Sequence, residues 1–146
     1  MLTQPSYEKF VNTSESRRFA VRGDKEDMIV TEYRYLENGQ LIKKQAAITV
    51  EQLIQKIKEG YHISNLSILK DVITDAWGQQ SYDILYKTNQ ARKLTIEQKK
   101  KVNGKTMLVV NGRMIELDSF LKWFYKNPWY VSNPSEIKEE VSKINM

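Results

Sequence analysis

The sequence predicts an α+β protein in which helices are combined with antiparallel strands. Asn-Gly pairs recur at 38–39, 103–104 and 111–112, between runs rich in apolar and β-branched residues. Both residues of such a pair tolerate the positive φ that a tight hairpin turn requires. Apolar residues also recur at helical spacing in about four segments. The 146 residues suffice for a single domain with an ordinary core.

A hairpin is predicted in the first part of the chain, after an N-terminal segment over residues 1–25. A short helix is expected near Tyr7 within that segment. The β-branched and aromatic run 28–36 predicts one strand, and residues 41–48 predict its antiparallel partner across the first Asn-Gly pair. The next residues, 49–60, have the clearest helical pattern in the chain.

Capping residues predict where two helices of this part begin. Thr49 and Gln52 match a capping box at the start of the helix over 49–60. Asn65 is expected to be the N-cap of a second helix that runs to Ala76. The hairpin and the two helices then form a first hairpin–helix–helix unit that ends there.

From residue 81 the pattern changes to short alternating runs, which predict a basic antiparallel meander over residues 81–110. Residues 82–87 and 94–97 alternate apolar with polar side chains, and residues 106–110 lie between two Asn-Gly pairs. Together with the hairpin that follows, these runs predict four antiparallel strands.

A second hairpin–helix–helix unit is predicted over residues 109–146. Asp118 is expected to cap a helix, and Pro134 to open the last one. The strings Ser-Asn-Leu-Ser at 64–67 and Ser-Asn-Pro-Ser at 132–135 fall at equivalent places in the two units. We therefore expect an internal duplication, in which the first unit covers residues 27–76. Such a duplication suits a two-fold target or a protein that forms a homodimer.

The composition excludes several kinds of chemistry. There is no cysteine and one histidine, His62, which excludes disulfides, thiolate catalysis, cysteine-rich zinc sites and two-histidine mechanisms. No cofactor or metal is expected. Without an apolar run of about 20 residues or a signal-peptide pattern, we expect a cytoplasmic protein with no membrane partner. The excess of lysine, isoleucine and asparagine is typical of AT-rich genomes, such as those of some bacteria and their phages.

The excess positive charge is concentrated in one segment. The net charge of +5 divides into zero over residues 1–82, −1 over 114–146, and +6 over 83–113, where eight basic side chains outnumber Asp83 and Glu97. Localised charge of this kind attracts phosphates or an acidic partner. It is also typical of a solvated strand that avoids edge-to-edge pairing. The eight basic residues are Lys87, Arg92, Lys93, Lys99, Lys100, Lys101, Lys105 and Arg113.

Two tryptophans downstream of this segment are further candidate binding residues. Trp123 and Trp129 lie in an aromatic-rich run and are flanked by Lys122 and Lys126. Exposed tryptophans beside lysines anchor protein partners or stack on bases. A place in the core is the alternative for both.

Asp83 and the string Ile96-Glu97-Gln98-Lys99 resemble the core motif of the PD-(D/E)xK nuclease superfamily. There an aspartate on one strand and Glu-x-Lys on the next bind magnesium and activate water. The predicted register places Asp83 opposite Glu97, where Mg²⁺ would relieve the repulsion between the carboxylates. The resemblance implies Asp83, Glu97 and Lys99 as catalytic residues, although Tyr82 stands where the superfamily usually has proline.

A winged helix-turn-helix is another interpretation of the predicted element order. Residues 50–59 and 66–76 would be its two helices, and residues 82–98 a basic wing, with the second helix in the major groove. That helix has one lysine, two aspartates and no arginine, whereas a recognition helix usually presents basic or amide side chains to the bases.

The residue inventory favours a non-enzymatic binding protein over an enzyme. The expected partner is nucleic acid, or an acidic or nucleic-acid-handling protein, bound through the basic meander. Because the composition is typical of a phage or mobile element, an accessory or anti-defence role is expected.

Overall fold

The computed structural model describes residues 6–23 and 27–143, and its elements form two series of similar order. The first half contains α1 (Ser6–Glu15), β1 (Arg18–Arg22), β2 (Ile29–Tyr35), β3 (Leu41–Ala46), α2 (Val50–Lys58), β4 (His62–Ser64), a 3₁₀ turn (Leu66–Leu69) and α3 (Lys70–Trp77). The second half contains α4 (Gln79–Ala91), β5 (Lys93–Leu94), β6 (Ile96–Val102), β7 (Lys105–Val110), β8 (Arg113–Glu116), α5 (Leu117–Lys126), β9 (Tyr130–Val131), a 3₁₀ turn (Pro134–Ile137) and α6 (Lys138–Ser142).

The strands form a four-stranded sheet, a three-stranded sheet and a short two-stranded ladder. In the four-stranded sheet the order is β3-β2-β1-β4, and its pairs are antiparallel except for β1 and β4, which are parallel. In the second half β6, β7 and β8 pair antiparallel, while β9 pairs parallel with β5. The mixed α+β class is therefore confirmed, with six α-helices in the described ranges instead of the four expected.

The strand predicted over residues 82–87 is wrong, because these residues lie in α4. Tyr82, Leu85 and Asn89 are buried along one side of this helix, whereas Ile84 is 59% exposed. Over six residues, apolar side chains at alternate positions fit a strand. Over the 13 residues of α4 the buried positions follow the helical period instead.

This helix removes the structural basis of three expectations. Residues 82–98 contain most of α4 and the start of β6, so they do not form the wing of a winged helix. Asp83 lies on α4 and Glu97 on β6, so no strand register places the two carboxylates opposite each other. The meander expected over 81–110 is likewise replaced by a helix, the short β5 of the two-stranded ladder, and the first two strands of the three-stranded sheet.

The helix ends confirm one predicted cap and correct two others. The Gln52 backbone N–H donates to Thr49 Oγ1 at 3.1 Å and the Thr49 N–H donates to Gln52 Oε1 at 2.8 Å, which confirms the capping box. Asn65 makes no side-chain cap and instead donates from Nδ2 to the carbonyl of Val21 at 3.2 Å. Asp118 lies in the first turn of α5, one residue past its start, and is not the N-cap.

The described residues form two cores, and each includes side chains from the leading helix of the other half. The first core lies between the four-stranded sheet, α2 and α3, and it includes Tyr82 and Leu85 of α4. The second core lies between the three-stranded sheet, α5 and α6, and it includes Phe10 of α1. The Phe10 ring packs 6.4 Å from that of Phe120 and 4.8 Å from that of Phe124, measured between centroids. Because burial of one such side chain stabilises by about 1.5–3 kcal/mol, both halves depend on this exchange.

Candidate nucleic-acid interface

The β6–β7 hairpin carries the exposed lysines of the basic segment. Lys100 and Lys101 lie on β6 opposite Met107 and Thr106, and Lys105 begins β7. All three lysines are exposed to solvent. Because successive residues of a strand point to opposite faces, Lys100 and Lys101 place positive charge on both faces of the hairpin.

Lys105 and Arg113 each follow a turn with left-handed backbone. Asn103-Gly104, with φ of 52° and 78°, precedes Lys105, and Asn111-Gly112, with φ of 48° and 81°, precedes Arg113. Lys105 Nζ lies 3.8 Å from a carboxylate oxygen of Glu116, but its side chain is 66% exposed, so this ion pair contributes little. Arg113 is exposed, and both residues can therefore meet an external anion.

Lys99 is occupied by contacts within the protein. Its Nζ donates to a carboxylate oxygen of Glu140 at 2.7 Å and to the carbonyl of Glu136 at 3.1 Å. The hydrogen bond with Glu140 raises the pKa of Lys99. Burial raises the pKa of Glu140, but the hydrogen bond and charge of Lys99, a backbone hydrogen bond and the charge of Lys143 together leave that pKa below its usual value. Lys99 thus joins β6 to the C-terminal helix region.

Three predicted basic residues lie on or just after α4. Lys87 is exposed on the helix. Arg92 donates from Nε to the carbonyl of Ile57 at 3.0 Å, and its guanidinium lies 5.4 Å from the ring centroid of Trp129. Because the last carbonyls of a helix lack partners within the helix, Arg92 stabilises the end of α2. Lys93, on β5, is half-buried and lines a cleft between the halves.

The two predicted tryptophans form a pair beside the second core. Their ring centroids are 5.8 Å apart. Trp129 is half-buried and packs against the second core, whereas Trp123 is 38% exposed. Trp123 is therefore the more accessible of the two to a partner.

Asp83, Glu97 and Lys99 do not have the paired-strand arrangement that the nuclease resemblance implies, because Asp83 lies on α4. Asp83 accepts a hydrogen bond from Gln79 Nε2 at 2.8 Å within α4, and Glu97 accepts one from the backbone N–H of Gly112. In residues 6–23 and 27–143, no three His, Asp or Glu side chains form a group that could hold a metal ion. Asp83 and Glu97 therefore bond to separate partners, one within α4 and the other at the turn before β8.

His62 lies where the two halves meet. Its ring stacks on that of Tyr130, with centroids 5.3 Å apart and 13° between the planes. Nδ1 lies 3.0 Å from the carbonyl of Asn89, so Nδ1 donates and Nε2 is the acceptor of the neutral ring. Burial lowers the pKa of His62, and the charges of Lys93 and Arg18 lower it further against the opposing effect of that hydrogen bond.

A second group of basic and aromatic side chains was not expected from the sequence. The guanidinium of Arg18 lies 4.2 Å from the ring centroid of Tyr33 and 5.3 Å from that of Tyr130, and Lys43 Nζ lies 5.6 Å from that of Tyr33. These residues come from four strands, so no local run of charge marks them. The zero net charge of residues 1–82 conceals them further.

Comparisons with known proteins identify no relative from which a function could be transferred. No protein-family model, curated protein or solved structure matches the chain. No helix in the described ranges is long and apolar enough to cross a membrane. A functional assignment therefore depends on the surface side chains themselves.

Proposed function

We propose that this protein is a non-enzymatic binding protein that holds nucleic acid through the β6–β7 hairpin. The main support is that every residue from 97 to 105 is exposed, so Lys100, Lys101 and Lys105 extend into solvent beyond the core. Lysines presented in this way neutralise phosphates without reading the bases. The single weak contact of Lys105 with Glu116 leaves the hairpin positively charged.

We also infer that the chain is an internal duplication longer than the one expected from its hairpins and last helices. In the first half the order is helix, three antiparallel strands, helix, parallel strand, 3₁₀ turn and helix. The second half repeats this order with the short β5 between its leading helix and its three antiparallel strands. The leading helices also align in sequence. Ser6-Tyr7-Glu8 aligns with Ser81-Tyr82-Asp83, and Arg17-Arg18 aligns with Arg92-Lys93 at the same separation.

Equivalent side chains make equivalent contacts in the two halves, which supports the duplication. An asparagine after the parallel strand donates to a carbonyl of β1 in the first half and of β6 in the second. A lysine of the last helix lies over a tyrosine of the other half's leading helix. The contacts are Asn65 Nδ2 to Val21 O at 3.2 Å and Asn133 Nδ2 to Ile96 O at 2.9 Å, then Lys70 to the Tyr82 ring at 5.9 Å and Lys138 to the Tyr7 ring at 5.5 Å.

The duplication implies a pseudo-two-fold scaffold with a binding surface on one half. His62 and Tyr130 occupy equivalent positions and stack on each other, as residues beside a two-fold axis do. In the second half the longer hairpin is the first one, β6–β7, whose tip is 103–104. In the first half the longer hairpin is the second one, β2–β3, whose tip is near 38–39. Among the described residues, the equivalent hairpin of the first half, β1–β2, pairs over fewer residues than the lysine-rich hairpin.

The proposal predicts strongly salt-dependent binding to DNA of any sequence. Three phosphate contacts give a slope of about −2.7 for log affinity against log salt concentration on a duplex. In the double variant Lys100→Glu, Lys101→Glu, the slope should be shallower by about 2, with weaker binding to every sequence. Fluorescence anisotropy with labelled duplexes and single strands, titrated at several salt concentrations, measures both quantities.

The matched control is the double variant Lys58→Glu, Lys70→Glu, which changes the net charge equally on exposed residues of α2 and α3. Its slope of log affinity against log salt concentration should equal that of the unmodified protein. Equal losses in both variants would mean that net charge, and not the hairpin, attracts DNA. If the unmodified protein binds neither kind of DNA in a salt-dependent way, the proposed function is wrong.

A further inference from the structure

Two neighbouring clefts cross the outer face of the four-stranded sheet and the contact between the halves. One cleft, of about 480 Å³, is lined by Thr31, Tyr33, Lys43 and neighbouring residues of β1 to β3. The other, of about 390 Å³, is lined by residues of β4, α4, β5 and β9. Asn65 lines both clefts, which therefore adjoin each other.

Aromatic rings lie along this pair of clefts. Tyr33 lies in the first cleft beneath the guanidinium of Arg18, at 4.2 Å from ring centroid to Cζ. Tyr130, stacked on His62, lines the second cleft. Tyr86 of α4 lines the far side of the second cleft and is 40% exposed, with its hydroxyl accepting a hydrogen bond from a glutamine of the same helix. Such rings are platforms on which bases of any sequence stack.

The charge along the clefts is positive. Lys43 and Lys44 line the first cleft and Lys93 the second, and none of the three forms a salt bridge with a described residue. Arg18 lies between them and is paired with Glu15 at 3.0 Å. Three lysines beside one exposed ring, Tyr86, and two half-buried rings, Tyr33 and Tyr130, match a polyanion whose bases are free to stack.

We propose that these two clefts form a binding groove for single-stranded nucleic acid, an inference that rests on the proposed function because it names the form of nucleic acid bound. Bases of a duplex are stacked on each other and cannot reach Tyr33 and Tyr86. An unpaired strand can lay its bases on these rings and its phosphates on Lys43 and Lys93. The β6–β7 hairpin contacts phosphates of either form, and the groove selects the unpaired one.

The test compares a labelled oligodeoxythymidylate of about 15 nucleotides with a duplex of equal length. The double variant Tyr33→Ser, Tyr86→Ser should weaken binding of the single strand by about tenfold or more and change duplex binding less than about twofold. The variant Tyr33→Phe, Tyr86→Phe keeps both rings and should retain binding. Trp77→Ser removes an exposed aromatic ring that lines neither cleft and should have no effect. Thermal unfolding of each variant checks its fold.

The outcomes separate this inference from the proposed function. Suppose that Tyr33→Ser, Tyr86→Ser binds the single strand normally while Lys100→Glu, Lys101→Glu binds it more weakly. The groove proposal is then wrong and the hairpin proposal stands. Equal losses on duplex and single strand would also overturn the groove. Displacement of the oligonucleotide by polyglutamate of equal charge would assign the clefts to an acidic protein. If the unmodified protein binds no nucleic acid, both proposals fail.

Discussion

Two polar side chains hydrogen-bond to backbone groups of short strands, β4 and β9, each of which pairs with only one neighbouring strand. Asn89 accepts from the backbone N–H of Ile63 at 2.7 Å and donates to its carbonyl at 2.8 Å, as an adjacent strand would. Ser14 accepts from the N–H of Val131 at 2.7 Å in the other half. Because a buried peptide group without a partner costs about 1–3 kcal/mol, these short side chains stabilise the contact between the halves.

His62, which bonds to the carbonyl of Asn89, makes stability depend on pH. Its pKa in the folded protein lies below the ordinary 6.5, so between those two values the unfolded chain binds more protons. The contribution of His62 is therefore fully present above 6.5 and is lost as the pH falls towards the folded pKa. Urea unfolding at several pH values between about 7 and 5 should show a decreasing free energy of unfolding.

His62→Gln removes the titrating ring and is the control for this pH dependence. The variant should be less stable at neutral pH, because the stack with Tyr130 is lost, but its stability should vary less across the same range. Glu140, whose pKa is lowered, contributes above the ordinary 4.5 and loses its contribution at lower pH, so the two effects separate. If the free energy of unfolding of His62→Gln fell with pH as steeply as that of the unmodified protein, His62 would not be the group responsible.

Among the elements, α4 differs most from the sequence-based expectation. The strand prediction put Tyr82, Ile84 and Tyr86 on one face. In the helix, Tyr82 and Leu85 enter the first core and Ile84 remains 59% exposed. Both patterns fit the same six residues, and contact with α2 and α3 selects the helical one.

The two patterns predict different costs for two alanine substitutions. Leu85→Ala should lower the free energy of unfolding by about 2–5 kcal/mol, because it empties a buried position in the first core. Ile84→Ala should change it by less than about 0.5 kcal/mol, since the side chain is mostly in solvent. Urea denaturation followed by circular dichroism measures both. If Ile84→Ala lowered the free energy of unfolding more than Leu85→Ala, the result would support the strand over residues 82–87 instead of the helix.

In the whole molecule, the leading helix of each half supplies side chains to the core of the other half. α1 begins the first half but supplies Phe10 to the second core, and α4 begins the second half but supplies Tyr82 and Leu85 to the first. Neither core keeps all of its buried side chains if the other half unfolds. We therefore expect a single unfolding transition.

This cooperativity is testable because the tryptophans lie in different halves. Trp77 belongs to α3, whereas Trp123 and Trp129 belong to the second half. Fluorescence of variants that keep only Trp77, or only the other two, should give the same urea midpoint. Phe10→Leu should lower both midpoints together, at a cost of about 1 kcal/mol. Two separate midpoints, or a shift in one alone, would mean that the halves unfold independently.

The sequence alone determined those features that depend on neighbouring residues. The capping box of Thr49 and Gln52, the strand at 28–36 and the concentration of lysines near 99–105 all follow from local composition and spacing. These are properties of short segments, for which backbone propensity and side-chain period are sufficient. The choice between helix and strand over 82–87 lay beyond them, because both periods fit so short a run.

Only the tertiary structure decided which distant side chains meet. It placed Lys99 on Glu140, Arg92 on the end of α2, and Arg18 between Tyr33 and Tyr130. It also put Asp83 on a helix and Glu97 on a strand. The physical reason is that these contacts depend on how apolar faces of non-adjacent elements are buried together, and that choice is made by the two shared cores and not by any local sequence signal.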